Sequence, residues 1–195
     1  MLTLFNSSDT TATIEALNRS QAVIEFEPNG IIITANDNFL KTVDYALDEI
    51  KGHHHSMFVA PEARDNKEYR DFWLALNRGE FQSGEFKRIA KGGKEVWLQA
   101  SYNPIFDING RVFKVVKYAS DITAQMALRD SEKVKNMVDK MPINVMMCDP
   151  KTFKINYANE TTINTLKAVQ HLIPIKAEEL ARNISVPKIV DTKEG

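Results

Sequence analysis

AVIEFEPNGIIITANDNFL, residues 22–40, decides the fold. Two β-rich apolar runs flank Glu27-Pro28-Asn29-Gly30. Proline biases the residue before it toward extended or turn backbone, and Asn29-Gly30 suits the tip of a tight hairpin. Ala35-Asn36 closes the second run, and Asn36 is a good N-cap for the helix-compatible DNFLKTV that follows. The stretch predicts strand, turn, strand, helix.

The pattern returns once. Residues 144–159, NVMMCDPKTFKINYAN, repeat the apolar run, an acidic residue before proline (Asp149-Pro150), a second run and Ala158-Asn159. ETTINTL then matches DNFLKTV. One inserted residue in the second turn breaks the register, so a module has been duplicated and has diverged; this is not a solenoid.

Between the copies the first module continues. YALDEIKG predicts a short helix ended by Gly52. In NKEYRDFWLALNRGE, Tyr69, Phe72, Trp73 and Leu76 share one helical face, and Gly79 stops the helix. EFKRIAKGGKEVWLQASYNPI predicts a hairpin turning at Gly92-Gly93. In its second limb Val96, Leu98, Ala100 and Tyr102 alternate with Glu95, Trp97, Gln99 and Ser101, which sends Trp97 to the opposite face. DINGR turns the chain into a last strand, VFKVVKYAS. The order β-β-α-α-α-β-β-β implies an α+β domain: a five-stranded antiparallel sheet with helices on one face.

From Asp121 the character changes. DITAQMALRDSEKVKNMVDKM has no Gly or Pro before Pro142 and predicts a helical connector, with Ala127, Val134, Met137 and Met141 at heptad spacing. The expected organisation is an N-terminal helical cap (1–19), a first domain (20–123), the connector (124–141) and a truncated second module (142–195). ARNISVPKIVDTKEG, at the end, has no counterpart of the DFW helix or the Gly-Gly hairpin.

Composition restricts the function classes. The 195 residues carry a formal charge of −1 and no Lys/Arg block, so nothing marks a nucleic-acid or anionic-membrane surface. Apolar runs are strand-sized, well short of a bilayer span. The one cysteine, Cys148, excludes an internal disulfide and points to the cytoplasm; its place in a strand predicts a small buried residue. No nucleophile–base pair, Walker loop or metal-hydrolase spacing suggests an enzyme.

AVIEFEPNGIIITANDNFL, GEFQSGEFKRIAKGGKEVWLQASYNPI and KVVKYASDIT together resemble a PAS sensor domain, of the kind found in bacterial methyl-accepting chemotaxis-type receptors and biofilm-dispersion regulators. NMVDKMPINVMMCDPKTFKINYAN looks like the start of a second one. The resemblance implies a PAS fold that holds a small molecule between sheet and helices. It also implies a connector helix that reports the occupant's state, with Asp121 and Thr123 at the relay. Homodimerisation and a downstream chemotaxis kinase and adaptor complex are the partners it implies. A ligand-free dimerisation module is the alternative.

GHHHSMF, residues 52–58, is the ambiguous stretch. Neighbouring histidines point different ways, and zinc prefers separated ligands with Cys or acid partners, so a polar turn with one ring packed inward fits better than a metal site. Aerotaxis-type PAS domains that bind flavin carry His, Met and an Arg-His-Pro run here. This chain matches at His55, Met57 and Pro61, but Val59-Ala60 replaces the basic pair. Asn36 and Trp73 match further family positions, and Asn103 stands near a strand end. The implied cofactor-binding set is therefore Asn36, His55, Met57, Trp73 and Asn103, with FAD ahead of haem and an unliganded core as the other possibility. Lys87, Arg88, Lys91 and Lys94 read as solvated charges that keep the hairpin edge from pairing.

Overall fold

The computed structural model describes residues 7–172. Contacts divide the chain into two units that meet at residues 126–127.

The first unit begins with α1 (Ser7–Ser20), followed by β1 (Ala22–Phe26) and β2 (Ile32–Ala35). Three helices come next: α2 (Asp37–Val43), α3 (Leu47–Ile50) and α4 (Lys67–Asn77). Single 3₁₀ turns at His55–Phe58 and Pro61–Ala63 lie between α3 and α4. Then β3 (Gln82–Ile89), β4 (Glu95–Phe106) and β5 (Val112–Asp121) complete an antiparallel sheet in the order β2-β1-β5-β4-β3. The first and last strands in sequence thus pair at the centre. The predicted element order and sheet are those observed.

Alternation builds the core. Ile24 and Phe26 of β1, Val96, Leu98, Ala100 and Tyr102 of β4, and Val115 and Ala119 of β5 turn to the helical side. Phe39, Val43, Ile50, Phe58, Trp73 and Leu76 meet them. Trp97, out of phase with this set, is only half-buried on the other face, as its alternation predicts.

Asn36 braces the first hairpin to α1 and α2. Its Oδ1 accepts from Phe39 N as the N-cap of α2 and from Val23 N, both at 2.9 Å. Its Nδ2 donates to Asn18 O and Gln21 O at 3.0 and 2.8 Å. One amide therefore satisfies backbone groups on three elements that would otherwise need water.

The second unit, taken by itself, holds most of α5 (Thr123–Asp139), then β6 (Met146–Cys148), β7 (Ile155–Ala158) and α6 (Glu160–Ala168). Asn159 reproduces the brace. Its Oδ1 accepts from Thr162 N and Val145 N, and its Nδ2 donates to Val138 O and Ile143 O. The sequence repeat is thus a repeat of this joint.

Cys148 corrects an expectation: it is exposed. β6 pairs only with β7 among the described residues, and all three of its side chains face solvent, so strand position brings no burial. The expectation for residues 181–195 lies outside the described residues.

Asn36→Ala should cost about 2–3 kcal/mol in urea unfolding, combining a lost cap with stranded backbone groups. Asn36→Asp should recover little, because a carboxylate keeps the acceptor but sets negative charge against two carbonyls. Full recovery by Asp would show that the donor half of the brace is unimportant.

Candidate functional site

The three histidines run alongside the turn of the first hairpin, with His54 in extended backbone and His55 opening the 3₁₀ turn. Ile31 and His54 form a β-bridge, Ile32 N donates to His53 O, and His55 N donates to Gly30 O. Extended backbone turns successive side chains to opposite sides. His53 is exposed, His54 lies at the surface against Trp73, and His55 is driven into the core at 1% exposure. Gly30 makes this approach possible: its φ is +88°, and a Cβ there would stand 2.6 Å from His54 Nε2.

His55 joins a helix to the sheet. Its Nδ1 lies 2.8 Å from the Tyr69 hydroxyl on α4, and its Nε2 lies 3.1 Å from the Tyr102 hydroxyl on β4. Phe26, Phe58 and Trp73 surround the ring edge-on, and Tyr69 stacks on it. Burial, followed by the charges of Arg88 and Lys117, holds the imidazole well below its ordinary value of 6.5. The ring is therefore neutral. Since Arg88 Nη2 donates to the Tyr102 oxygen at 3.2 Å, the Tyr102 proton is free to point to Nε2. Nδ1 then carries the proton and donates to Tyr69. Burial pushes the Tyr69 phenol up to about 12, which keeps it protonated.

Two cations complete the cluster, and the reading of the hairpin lysines missed one of them. Arg88 is 9% exposed, not solvated, because it shares the inward phase of β3 with Phe86 and Ala90 and pairs in register with Val96. Lys117, at 1% exposure, pairs across from Tyr102 in the phase of Val115 and Ala119. Its ammonium lies 4.9 Å from the Tyr102 ring centre and 5.6 Å from that of Phe39. Burial lowers the Lys117 ammonium, partly offset by Tyr102. The Tyr102 phenol, which burial alone would raise, is pulled below its usual value by Lys117 and Arg88. The signal was present in KRIA and VVKYA: a basic residue in phase with buried neighbours.

The sequence-derived site residues divide into two groups. His55, Trp73 and Met57 belong to this core or pack against it. Asn36 is occupied in its brace. Asn103 lies on the face opposite Tyr102, donating to Ser101 and Val116 carbonyls. Asp121 and Thr123 stand together at the start of α5, where the Asp121 carboxylate accepts from Thr123 N. Among the described residues no group of three His, Cys, Asp or Glu side chains is placed to hold a metal ion.

A 2-1-5-4-3 antiparallel sheet with its helices packed over one face around a buried polar cluster defines the class of fold. Residues 32–119 match the family described as PAS fold, and the first unit has that fold. It is similar to the biofilm dispersion protein BdlA of Pseudomonas aeruginosa, 45% identical over 119 residues, or 61% of this chain and 28% of that protein. It is also similar to the aerotaxis receptor of Escherichia coli, 34% identical over 74 residues, or 38% of this chain and 14% of the receptor. The chain thus spans under a third of either relative. A solved PAS domain from Colwellia psychrerythraea superposes with a TM-score of 0.52 at 20% identity, covering 59% of this chain and 98% of that one, which supports the fold.

Neutral His55 makes stability depend on pH. Below about 6.5 the unfolded chain takes up a proton that the folded chain refuses, so stability falls as pH drops, by up to about 1.4 kcal/mol per pH unit, and gains nothing above about pH 7. Urea titrations between pH 5 and 8 should show this slope, reduced in His55→Gln. An equal slope in the variant would assign it to other groups.

Proposed function

We propose that the first unit is the sensory input module of a chemotaxis-type receptor, in which the occupancy or charge of its core biases the start of α5. The observation that carries this reading is the seam between sheet and helix. Thr123 Oγ1 accepts from Trp97 N at 3.0 Å, and Ile122 N donates to Trp97 O at 2.9 Å. Trp97 lies on the strand that carries Tyr102 five residues on. A shift of β4 caused by a change at Tyr102 therefore reaches the first turn of α5 through hydrogen bonds. Two arrangements of that seam, differently populated with and without stimulus, would be enough to signal.

The relatives are named for an aerotaxis receptor and a biofilm dispersion protein, which supports a redox- or gas-responsive cofactor or a small ligand as the source of the stimulus. Homodimer formation, control of a chemotaxis kinase and a cytoplasmic location belong to the same proposal. No described helix is long and apolar enough to cross a membrane. The Asn159 brace supports reading the second unit as the opening of a like module. Of the cofactors implied by the family, haem fits His55 poorly, because both ring nitrogens already hold hydrogen bonds and iron needs a free lone pair. Flavin remains the cofactor to test. The ligand-free reading draws support from Ile14 and Leu17, half-exposed on α1 and suited to a helix pair.

An absorption spectrum of freshly purified protein separates these. A band near about 450 nm marks flavin and one near about 400 nm marks haem; a colourless, folded protein removes both. For the relay, Thr123→Val in the full-length receptor should reduce the kinase response to an oxygen step by at least about fivefold, with stability within about 1 kcal/mol of wild type. An undiminished response would refute the seam as the route.

A further inference from the structure

Among the described residues, the buried charged side chains are Arg88 and Lys117, and no Asp or Glu is buried beside them or beside neutral His55. Among the described residues no ion pair joins Arg88 or Lys117 to a carboxylate, although exposed Lys67, Arg78, Lys87 and Lys91 all have one. Burying a cation costs several kcal/mol unless a countercharge or a full set of acceptors offsets it. Among the described residues the acceptors at the guanidinium are Lys87 O, 2.8 Å from Nη1, and the Tyr102 hydroxyl, 3.2 Å from Nη2. Arg88 Nε is buried with no hydrogen-bond partner among the described residues. The site is rich in donors and short of negative charge.

Resting on the sensory reading above, and naming its ligand, we propose that the core binds the carboxylate of a small organic acid between Arg88, Lys117 and Tyr102. The geometry selects this class. Nε and Nη2 form one edge of the guanidinium, the edge that takes a carboxylate with two parallel hydrogen bonds. Here Nε is unpaired and Nη2 holds only a neutral hydroxyl, so a carboxylate would replace Tyr102 at Nη2 and satisfy Nε in the same step. Lys117, directly across from Tyr102 in the sheet, supplies the second charge.

The walls set the rest of the ligand. Phe26, Phe72 and Phe86 pack around Tyr102, and the Arg88 guanidinium lies 4.9 Å from the Phe86 ring centre. These rings pack directly on fully buried Tyr102, so binding requires them to part, and their apolar surroundings suit an apolar body behind the acid group better than free phosphate, which favours wet sites lined by backbone N–H groups. A groove of about 400 Å³, lined by Arg64, Arg70, Tyr69 and Trp73 among others, reaches the outer side of the rings against which His55 packs. Its two arginines give an acid a charged approach. Displacing the Tyr102 hydroxyl would also break its bond to His55, which links binding to the β4 movement invoked above.

The test is thermal unfolding and calorimetry of the whole chain at pH 7.5 with benzoate, succinate and pyruvate, with benzamide as the uncharged counterpart of benzoate and inorganic phosphate as a second anion. At least one carboxylate should bind saturably and raise Tm by about 5 °C at tenfold excess over its Kd, while benzamide does not. Lys117→Met and Arg88→Met should each weaken that binding by on the order of tenfold or more. Both keep an unbranched apolar stem in the core and should fold, by circular dichroism. No response to any of the three acids, or an unchanged response in both variants, overturns the proposal. A response to phosphate alone overturns the carboxylate assignment. A chain that purifies with flavin would also overturn it while leaving the sensory reading intact, and that reading fails separately if Thr123→Val signals normally.

Discussion

His55, held between two tyrosine hydroxyls, is the contact on which the domain's interior depends. It fastens α4 to β4 through Tyr69 and Tyr102, and it can do so only as a neutral ring. An imidazolium would add a third positive charge to a dry space that already contains Arg88 and Lys117. The bond network and the electrostatics therefore demand the same protonation state. Consistency of this kind gives a polar core one arrangement where a half-satisfied network would permit several.

The same interior is poorly optimised for stability. A core made only to be stable would place apolar side chains at Arg88 and Lys117, since replacing buried charge with packed hydrocarbon is often neutral or favourable. Instead both positions keep the phase of their strands, pointing inward among Phe86, Ala90, Val115 and Ala119. Local rules broken at one place, in a fold that obeys them elsewhere, are the usual mark of a functional site. The sheet and the Asn36 brace carry the fold, and the cluster sits on elements that are already fixed.

The fold was legible for reasons that can be named. Pro28-Asn29-Gly30, the β4 alternation and the α4 face are local signals, and the Asn36 and Asn159 stretches declared a repeated joint through identical neighbours. The site was legible only in part. His55 was singled out by its match to a family position, yet its partners Tyr69 and Tyr102 lie 14 and 47 residues away, a relation set by the sheet and not by spacing. Arg88 was misread because its neighbours Lys87, Lys91 and Lys94 are solvated, and a cluster of basic letters hides the one in phase with the core. Cys148 was misread in the opposite sense: a strand buries its residues only when another layer covers it.

Nitrogen-15 NMR of the histidine rings tests the central claim most directly. The account predicts that His55 is neutral at pH 7, protonated on Nδ1 alone, and that its signals stay those of a neutral ring as the pH falls through the ordinary imidazole value. A His55 ring that gains its second proton between about pH 6 and 7 would contradict the neutral bridge, and with it the view of the interior as a site short of negative charge.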